Sequence, residues 1–479
     1  MKKKAAKWKY ILLGFLLVVG LLVRLYRIDN SITEWFSWRQ TDTAAVGRFL
    51  QKDKFNLLKP RYYDLSNIQS GEDNPHGWRM VEFPVYNASF AFLAQTFSFL
   101  SLEIWARIVT IVFSLILLVV VYLLLVNEYS LSEAFFGGLF IALSPYVVFY
   151  SRTILPEVMA ISLTFLTIYF IYRYWKKDWF SYWLAVPIYA LALLVKPTAI
   201  FFLPAIIYLI VRYKKHSWLR KGVDIVVFLV LSSIPVILWR LHIQQYPEGI
   251  PWNIWLYTLV NTSGGVEKIF FRPAFFRWIF FERISNLILG GYLIFFTLMG
   301  LLMEIKTKLK LNWALAACAL FYLFTFQGGN VQHEYYQIMI VPVIAYLIGT
   351  GAGYYLKEKK AGPFWIKIVI TLGIFVFALA FSFYQVKGKY NEQEDLLLIA
   401  DVVRSLTHEK DLLVTDTQGD TTLLYLTNRR GFPAPYKSFE ELKKQKAKFF
   451  ITRDLSYKEK LVDQYDLIFE NDKVLIFAL

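Results

Sequence analysis

The chain has 479 residues, of which 57% are hydrophobic and only 18% charged, with 42 Phe, 31 Tyr and 15 Trp. Soluble domains run nearer roughly 45–50% apolar and 25% charged, so this composition excludes an ordinary soluble multidomain protein. It equally excludes disorder, a coiled coil or collagen, which need high charge, heptads or a glycine repeat. The net charge of +16 would point to nucleic acid in a soluble chain. In a polytopic membrane protein, the class predicted here, what counts is where the basic residues sit, and no nucleic-acid partner is expected.

In chain order, MKKKAAKWKY and then ILLGFLLVVGLLV open the sequence. They resemble a signal peptide, but no small-residue cleavage site follows, so 10–25 is expected to be an uncleaved first span. Residues 27–100 mix charged, aromatic and Pro/Gly residues and read as a long loop with surface helices. Further apolar stretches follow at 105–126, 132–150, 156–174, 182–195, 199–211, 223–241, 284–303, 313–326, 338–355 and 365–383. With the first they make about eleven expected transmembrane helices. A second long loop, 242–283, is rich in Trp and Phe (WNIWLYTL, FFRPAFFRWIFF), which suits the interfacial region. After a polar linker at 385–392, strand-like DLLVTD, KFFITRD and KVLIFAL alternate with helix-like EDLLLIADVVRSL and SFEELKKQ. Residues 393–479 therefore read as a small C-terminal α/β domain appended to a transmembrane module at 1–384. The single cysteine, Cys318, lies in an apolar run and excludes a disulfide framework.

The run 83–100 is also apolar, and counting it as a span would invert every later side. Basic residues decide the matter. With 83–100 left out, one side receives Lys2, Lys3, Lys4, Lys7 and Lys9, then Arg173, Lys176 and Lys177. The same side receives Arg212, Lys214, Lys215, Arg220 and Lys221, then Lys306, Lys308 and Lys310, and last Lys357, Lys359 and Lys360. That side is expected to be cytoplasmic, which places the N-terminus inside and the C-terminal domain outside.

Ionisable groups near membrane depth are costly and are the first functional candidates. Asp42 in WRQTDTAAVGRF, Glu82 in EFPVY, Arg152 and Glu157 in YSRTILPEVMA, Lys196 in LLVKPT and His333-Glu334 in QHEYYQIMIVP all fall on the outer side. Each has a structural reading as well. Asp42 could start a surface helix, Glu82 could pair with Arg79, and Arg152 with Glu157 could bridge a tight turn. Lys196 could snorkel to the headgroups, and His333 could simply pack among aromatics. No GxxxxGKS loop, HExxH motif, paired-cysteine metal site or GxSxG elbow is present, which argues against ATP-driven transport, zinc hydrolysis and acyl hydrolysis. A carboxylate beside cations and a greasy wall suits transfer of a sugar from a lipid-phosphate donor, since such a donor is already activated and needs no nucleotide. A transporter or flippase of polyprenyl-linked saccharides is the alternative.

The ordered set WRQTDTAAVGRF, EFPVY, YSRTILPEVMA, LLVKPT and QHEYYQIMIVP resembles the GT-C class of membrane glycosyltransferases, in particular the family 39-like group of protein O-mannosyltransferases and aminoarabinose transferases. The likeness covers about the first 350 residues. It implies transfer from a polyprenyl-phosphate sugar to an envelope glycan, lipid or protein on the outer face of a bacterial inner or plasma membrane, with inversion. It also implies that Asp42 is the catalytic base, shared in part with Glu82 or Glu157, because relatives often carry an Asp-Glu pair where this chain has Thr41-Asp42-Thr43. Arg39, Arg152, Lys196, His333, Glu334, Tyr335 and Tyr336 are then expected at the donor phosphate or the acceptor. No cofactor is expected, with divalent-metal dependence left open.

Overall fold

In hydrocarbon, backbone groups must be satisfied within their own segment, which makes the helix the solution for apolar runs of this length. The computed structural model describes residues 2–176, 178–212, 216–251, 269–302 and 310–479, with side chains from Lys7 onward. Five of its stretches are long and apolar enough to cross a membrane: Leu102–Glu128, Glu157–Trp175, Trp218–Ile243, Glu334–Lys357 and Phe364–Leu406. Shorter apolar helices at Leu131–Leu143, Trp179–Val195, Pro197–Val211 and Leu311–Thr325 accompany them. The protein is a multi-pass, largely helical membrane protein. The segment 83–100 holds only the helix Val85–Thr96, of 12 residues. At 1.5 Å per residue it spans about 18 Å, short of the roughly 30 Å hydrocarbon core. Of the basic residues used to assign sides, Lys177, Lys214, Lys215, Lys306 and Lys308 lie outside the described residues, as does WNIWLYTL.

Chain contacts divide the molecule into two units. The first comprises Met1–Ile28, Arg107–Trp239 and Trp255–Gly388. Two of its expected spans are broken for identifiable reasons. Residues 132–150 form Leu131–Leu143 and, with Pro145 at its first position, the short helix Pro145–Tyr150. The end of the longer helix is held by buried Arg24, which donates to the carbonyls of Ile141 and Ala142 at 2.8 and 3.0 Å and to Ser151 Oγ at 2.7 Å. Those carbonyls belong to the last turn, whose acceptors have no partner within the helix. Residues 284–303 are interrupted at Gly290 and Gly291, with φ of +55° and +75°. Those values suit glycine alone among common residues. Along Trp218–Ile243, Val223, Val226, Val230, Ile234 and Ile237 are all exposed at three- and four-residue spacing, a lipid-facing stripe.

The second unit comprises Asp29–Ala106, Arg240–Ile254 and Lys389–Leu479. It contains a five-stranded sheet built from β1 (Leu412–Thr415), β2 (Gly431–Phe432), β3 (Ala447–Thr452), β4 (Asp466–Glu470) and β5 (Leu475–Ala478). Its order is β2-β1-β3-β5-β4. β1 runs parallel to β2 and β3, whereas β5 is antiparallel to β3 and β4. The SFEELKKQ helix, Phe439–Lys444, starts with a capping box between Ser438 and Glu441. The sheet is not self-sufficient. Leu65, from the first long loop, packs in the core with Val414, Phe450 and Phe477, and Leu65 N–H donates to the Gly431 carbonyl at 2.8 Å. The boundary drawn from composition at 385–393 thus separates segments that share a core.

In the first unit, helix Ile294–Leu302 meets Val341–Lys357 through bare backbone. A Cβ on Gly300 would lie 2.1 Å from the Leu347 oxygen, and one on Gly351 1.9 Å from the Phe296 oxygen. Small residues allow this approach, as at other membrane helix interfaces. Gly351→Ala is therefore expected to force the helices apart and cost roughly 1–3 kcal/mol, as overpacking does. A lowered thermal midpoint of the purified protein in detergent checks this; an unchanged midpoint would contradict the packing.

Candidate active site

Asp42 lies well inside the helix Ser37–Lys52, most of which is buried. The helix begins after Phe36, in the left-handed region at φ +60°. Asp42 is therefore not a helix-starting residue, the structural role open to it from sequence. Its Oδ2 is 3.0 Å from Arg79 Nη2, with side chains 4% and 9% exposed. Its Oδ1 accepts a hydrogen bond from Thr421 Oγ1 at 2.7 Å. The Arg79 guanidinium sits over the Tyr62 ring, 4.9 Å from its centroid, and its Nη1 is a buried donor with no hydrogen-bond partner. Glu82 pairs not with Arg79 but with Arg39, at 3.2 Å. Two acidic residues, Asp42 and Glu82, thus each meet an arginine of the same unit.

Two more carboxyls surround this arrangement. Asp64 accepts from Ser66 N–H at 2.7 Å and stands within 3.4 Å of the Tyr62 hydroxyl. Burial pushes its pKa up to about 7; the Ser66 bonds oppose this, the nearby Asp42 charge adds to it, and Arg79 opposes it. Asp420 accepts from Thr422 N–H and Oγ1 at 2.7 and 2.5 Å. Burial raises its pKa too, against the Thr422 bonds and with Asp42 pushing the same way. Sequence reasoning named neither residue, nor Thr421. Nothing local in the Asp-Thr-Thr run at 420–422 links it to Asp42.

The first unit gathers a second set. Lys196, at the end of helix Trp179–Val195, is 2.8 Å from Glu157, at the start of Glu157–Trp175. Both side chains are buried, at 7% and 1% exposure. Each charge faces the helix end that favours it. The Lys196 ammonium is 5.4 Å from the Tyr336 ring centroid. Lys196 is thus packed rather than snorkelled, and Glu157 takes Lys196 as its partner while Arg152 donates to the Arg27 carbonyl at 3.0 Å. Glu334 receives two tyrosines: Tyr150 donates to its carboxylate and Tyr146 to its carbonyl, both at 2.6 Å. His333 stacks on Tyr335 with an interplanar angle of 11°. Among the described residues, no group of three or more His, Cys, Asp or Glu side chains is placed to hold a metal ion.

Residues 83–239 match the family described as dolichyl-phosphate-mannose-protein mannosyltransferase. No curated protein sequence matches the chain. Among solved structures, the fold is similar to ArnT from Cupriavidus metallidurans bound to undecaprenyl phosphate, with TM-score 0.64 and 12% identity over 99% of this chain and 98% of that one. It is also similar to the oligosaccharyltransferase AglB from Archaeoglobus fulgidus in complex with an inhibitory peptide and a dolichol-phosphate, with TM-score 0.60 and 11% identity over 93% and 69% of the two chains. The arabinofuranosyltransferase AftD from Mycobacteria matches at TM-score 0.54 and 12% identity, over 94% of this chain and 35% of that one. In family match and fold, the chain resembles GT-C membrane glycosyltransferases of the family 39-like group.

Asp64 yields a pH dependence. Its folded pKa of about 7 stands above its ordinary 3.8, so between these values the folded state holds a proton that the unfolded state releases. Stability from this group is full below about pH 4 and is lost as pH rises toward 7, by up to about 1.4 kcal/mol per pH unit. Asp64→Asn should flatten the fall in thermal midpoint over that window. A variant whose midpoint keeps the wild-type slope would refute the assignment.

Proposed function

We propose that this protein transfers a sugar from a polyprenyl-phosphate donor to an envelope glycan, lipid or protein. The observation that carries the reading is Asp42, a buried carboxylate held by Arg79 and Thr421. The match of 83–239 to a lipid-phosphate-sugar transferase family supports it, as does likeness to an ArnT structure that holds undecaprenyl phosphate. In the proposed reaction, the acceptor oxygen attacks the anomeric carbon while the bond to the phosphate oxygen breaks. Polyprenyl phosphate departs with the bonding electrons, and the acceptor's proton passes to Asp42. Attack opposite the leaving group inverts the anomeric centre. Thr421 is the partner that yields its hydrogen bond when an acceptor hydroxyl reaches Asp42. Arg79, with one nitrogen free of hydrogen bonds, is the donor that keeps Asp42 oriented and meets a substrate oxygen.

Lys196 is assigned to the departing phosphate, with Glu157 as the group that holds it, and Glu82 to positioning through Arg39. Arg152, His333, Glu334, Tyr335 and Tyr336 are assigned to the donor side. The proposal places about eleven crossings in a bacterial inner or plasma membrane, with the N-terminus cytoplasmic and residues 393–479 outside.

The decisive measurement is release of free polyprenyl phosphate from a labelled donor by purified protein, with acceptor present. Asp42→Asn should lower turnover by about a hundredfold or more, the scale at which general bases contribute, while the protein remains folded. Wild-type turnover in that variant would eliminate the mechanism. A single Lys196→Met change strands a buried carboxylate and should cost about 3–5 kcal/mol of stability. The charge-neutral pair Lys196→Met/Glu157→Gln should recover most of that stability and still raise the KM for donor by about tenfold. A double variant with unchanged donor KM would remove Lys196 from the phosphate site.

A further inference from the structure

The second unit contains a pocket of about 240 Å³, whose lining includes Lys52, Asp53, Lys54, Lys59, Arg61 and Trp78. Four cations face one carboxylate, and that carboxylate is already taken: Arg61 meets Asp53 through Nε at 2.8 Å and Nη2 at 3.0 Å. Lys52 reaches Glu409 only at 3.4 Å, between two exposed side chains, an arrangement worth little in water. Lys54 and Lys59 have no carboxylate partner among the described residues. The Lys59 ammonium lies 5.8 Å from the Trp78 ring centroid and 5.6 Å from that of Tyr246. Arg61 lies 5.4 Å from Trp78. The indole therefore gathers the cations without neutralising them. Arg430 adds to the same field, with a buried Nε that has no hydrogen-bond partner. Burial, reinforced by the Arg61 charge, brings its pKa down to about 10.

The backbone supports the arrangement at some cost. Lys54 and Phe55 both take left-handed conformations, at φ +53° and +58°, which disfavour residues bearing a Cβ. Phe55 packs against the Val46, Leu50 and Ala91 cluster, so its anchoring fixes the turn that presents Lys54. The pocket is also tied to Asp42. Arg61 and Trp78 pair across an antiparallel bridge, while the next residue on each segment, Tyr62 and Arg79, turns to the Asp42 side. Such alternation is what extended backbone imposes. Lys52 lies ten residues beyond Asp42 on the same helix, about 15 Å at 1.5 Å per residue. That separation is a few sugar rings.

We propose that this pocket binds a phosphate group carried on a saccharide, and that the acceptor is accordingly a phosphate-bearing envelope glycan. The second clause rests on the glycosyltransferase reading; the first does not. A lipid headgroup offers the same anion, but the shared walls with the Asp42 site favour a ligand that extends from one to the other.

The test is equilibrium binding of dye-labelled maltotriose 6-phosphate to the full-length protein in phosphatidylcholine nanodiscs, with no donor present. The probe should bind the wild type, weaken as salt rises, and lose at least about tenfold in affinity in Lys54→Ala/Lys59→Ala. Both lysines are exposed, so folding should survive; the milder Lys59→Gln should weaken binding in the same direction. The measurement contains no donor and no transfer step, so loss of probe binding reports on this pocket whether or not the transfer reaction holds. Equal binding by the double variant and wild type would overturn the proposal, as would equal binding of unphosphorylated maltotriose. Complete displacement of the probe by phosphatidylglycerol vesicles would assign the pocket to lipid and overturn it too.

Discussion

A carboxylate withdrawn from water as far as Asp42 loses several kcal/mol of hydration, and only a close counter-charge with further hydrogen bonds restores it. Arg79 and Thr421 supply both. Because they come from far apart in the chain, satisfying this one charge binds the first long loop to the C-terminal segment. The same dependency recurs nearby, where Arg48 pairs with Glu103 at 2.9 Å and donates to the Tyr425 carbonyl at 3.0 Å. The sheet makes use of this closure, with Leu65 in its core and the loop backbone bonded at Gly431. Loop and sheet are better regarded as one folding unit than as an insertion and an appendage.

In the first unit the same constraint acts on helix ends. Arg24 caps Leu131–Leu143 where no water is at hand to do so, and Lys196 joins the end of one helix to the start of another through Glu157. Removing either partner would expose a helix terminus or a lone charge to an apolar interior, so these residues hold the bundle whatever else they do. Structural and chemical duties are not exclusive at such positions. In the proposed role, a lysine already held against Tyr336 and Glu157 has less conformational entropy to lose on meeting the donor phosphate.

What could be read from the sequence follows from the range of each interaction. Hydrophobic runs located the helices within a few residues, as at Glu157–Trp175 and Phe364–Val386, because helix formation is a local matter. Short strand-like runs set between helix-like ones disclosed the strands at 412–415, 447–452 and 475–478. Breaks inside helices were less legible. Pro145 and the Gly290-Gly291 pair lay in plain view, yet membrane helices often carry both residues uninterrupted. Pairings were the least legible. Glu82 has Arg79 three residues away and Arg39 forty-three away, and burial selected the distant one. Asp64, Asp420 and Thr421 carry no pattern of their own; they gain meaning only from closing on Asp42.

That crowding of carboxyls around one guanidinium bears on how an anionic donor could be received. Were Asp42, Asp64 and Asp420 all ionised, Arg79 would be outnumbered and a phosphate would be repelled. Burial works against this by pushing the pKa of both Asp64 and Asp420 upward, since a dry setting penalises each added charge. Both accept hydrogen bonds from their neighbours, Asp64 from Ser66 and Asp420 from Thr422. Asp42 remains the member with a guanidinium partner and a hydroxyl donor, the combination that separates one carboxylate from its neighbours. The acidic residues are therefore not interchangeable, and it is their unequal surroundings that motivate the proposed assignment of Asp42 as the base.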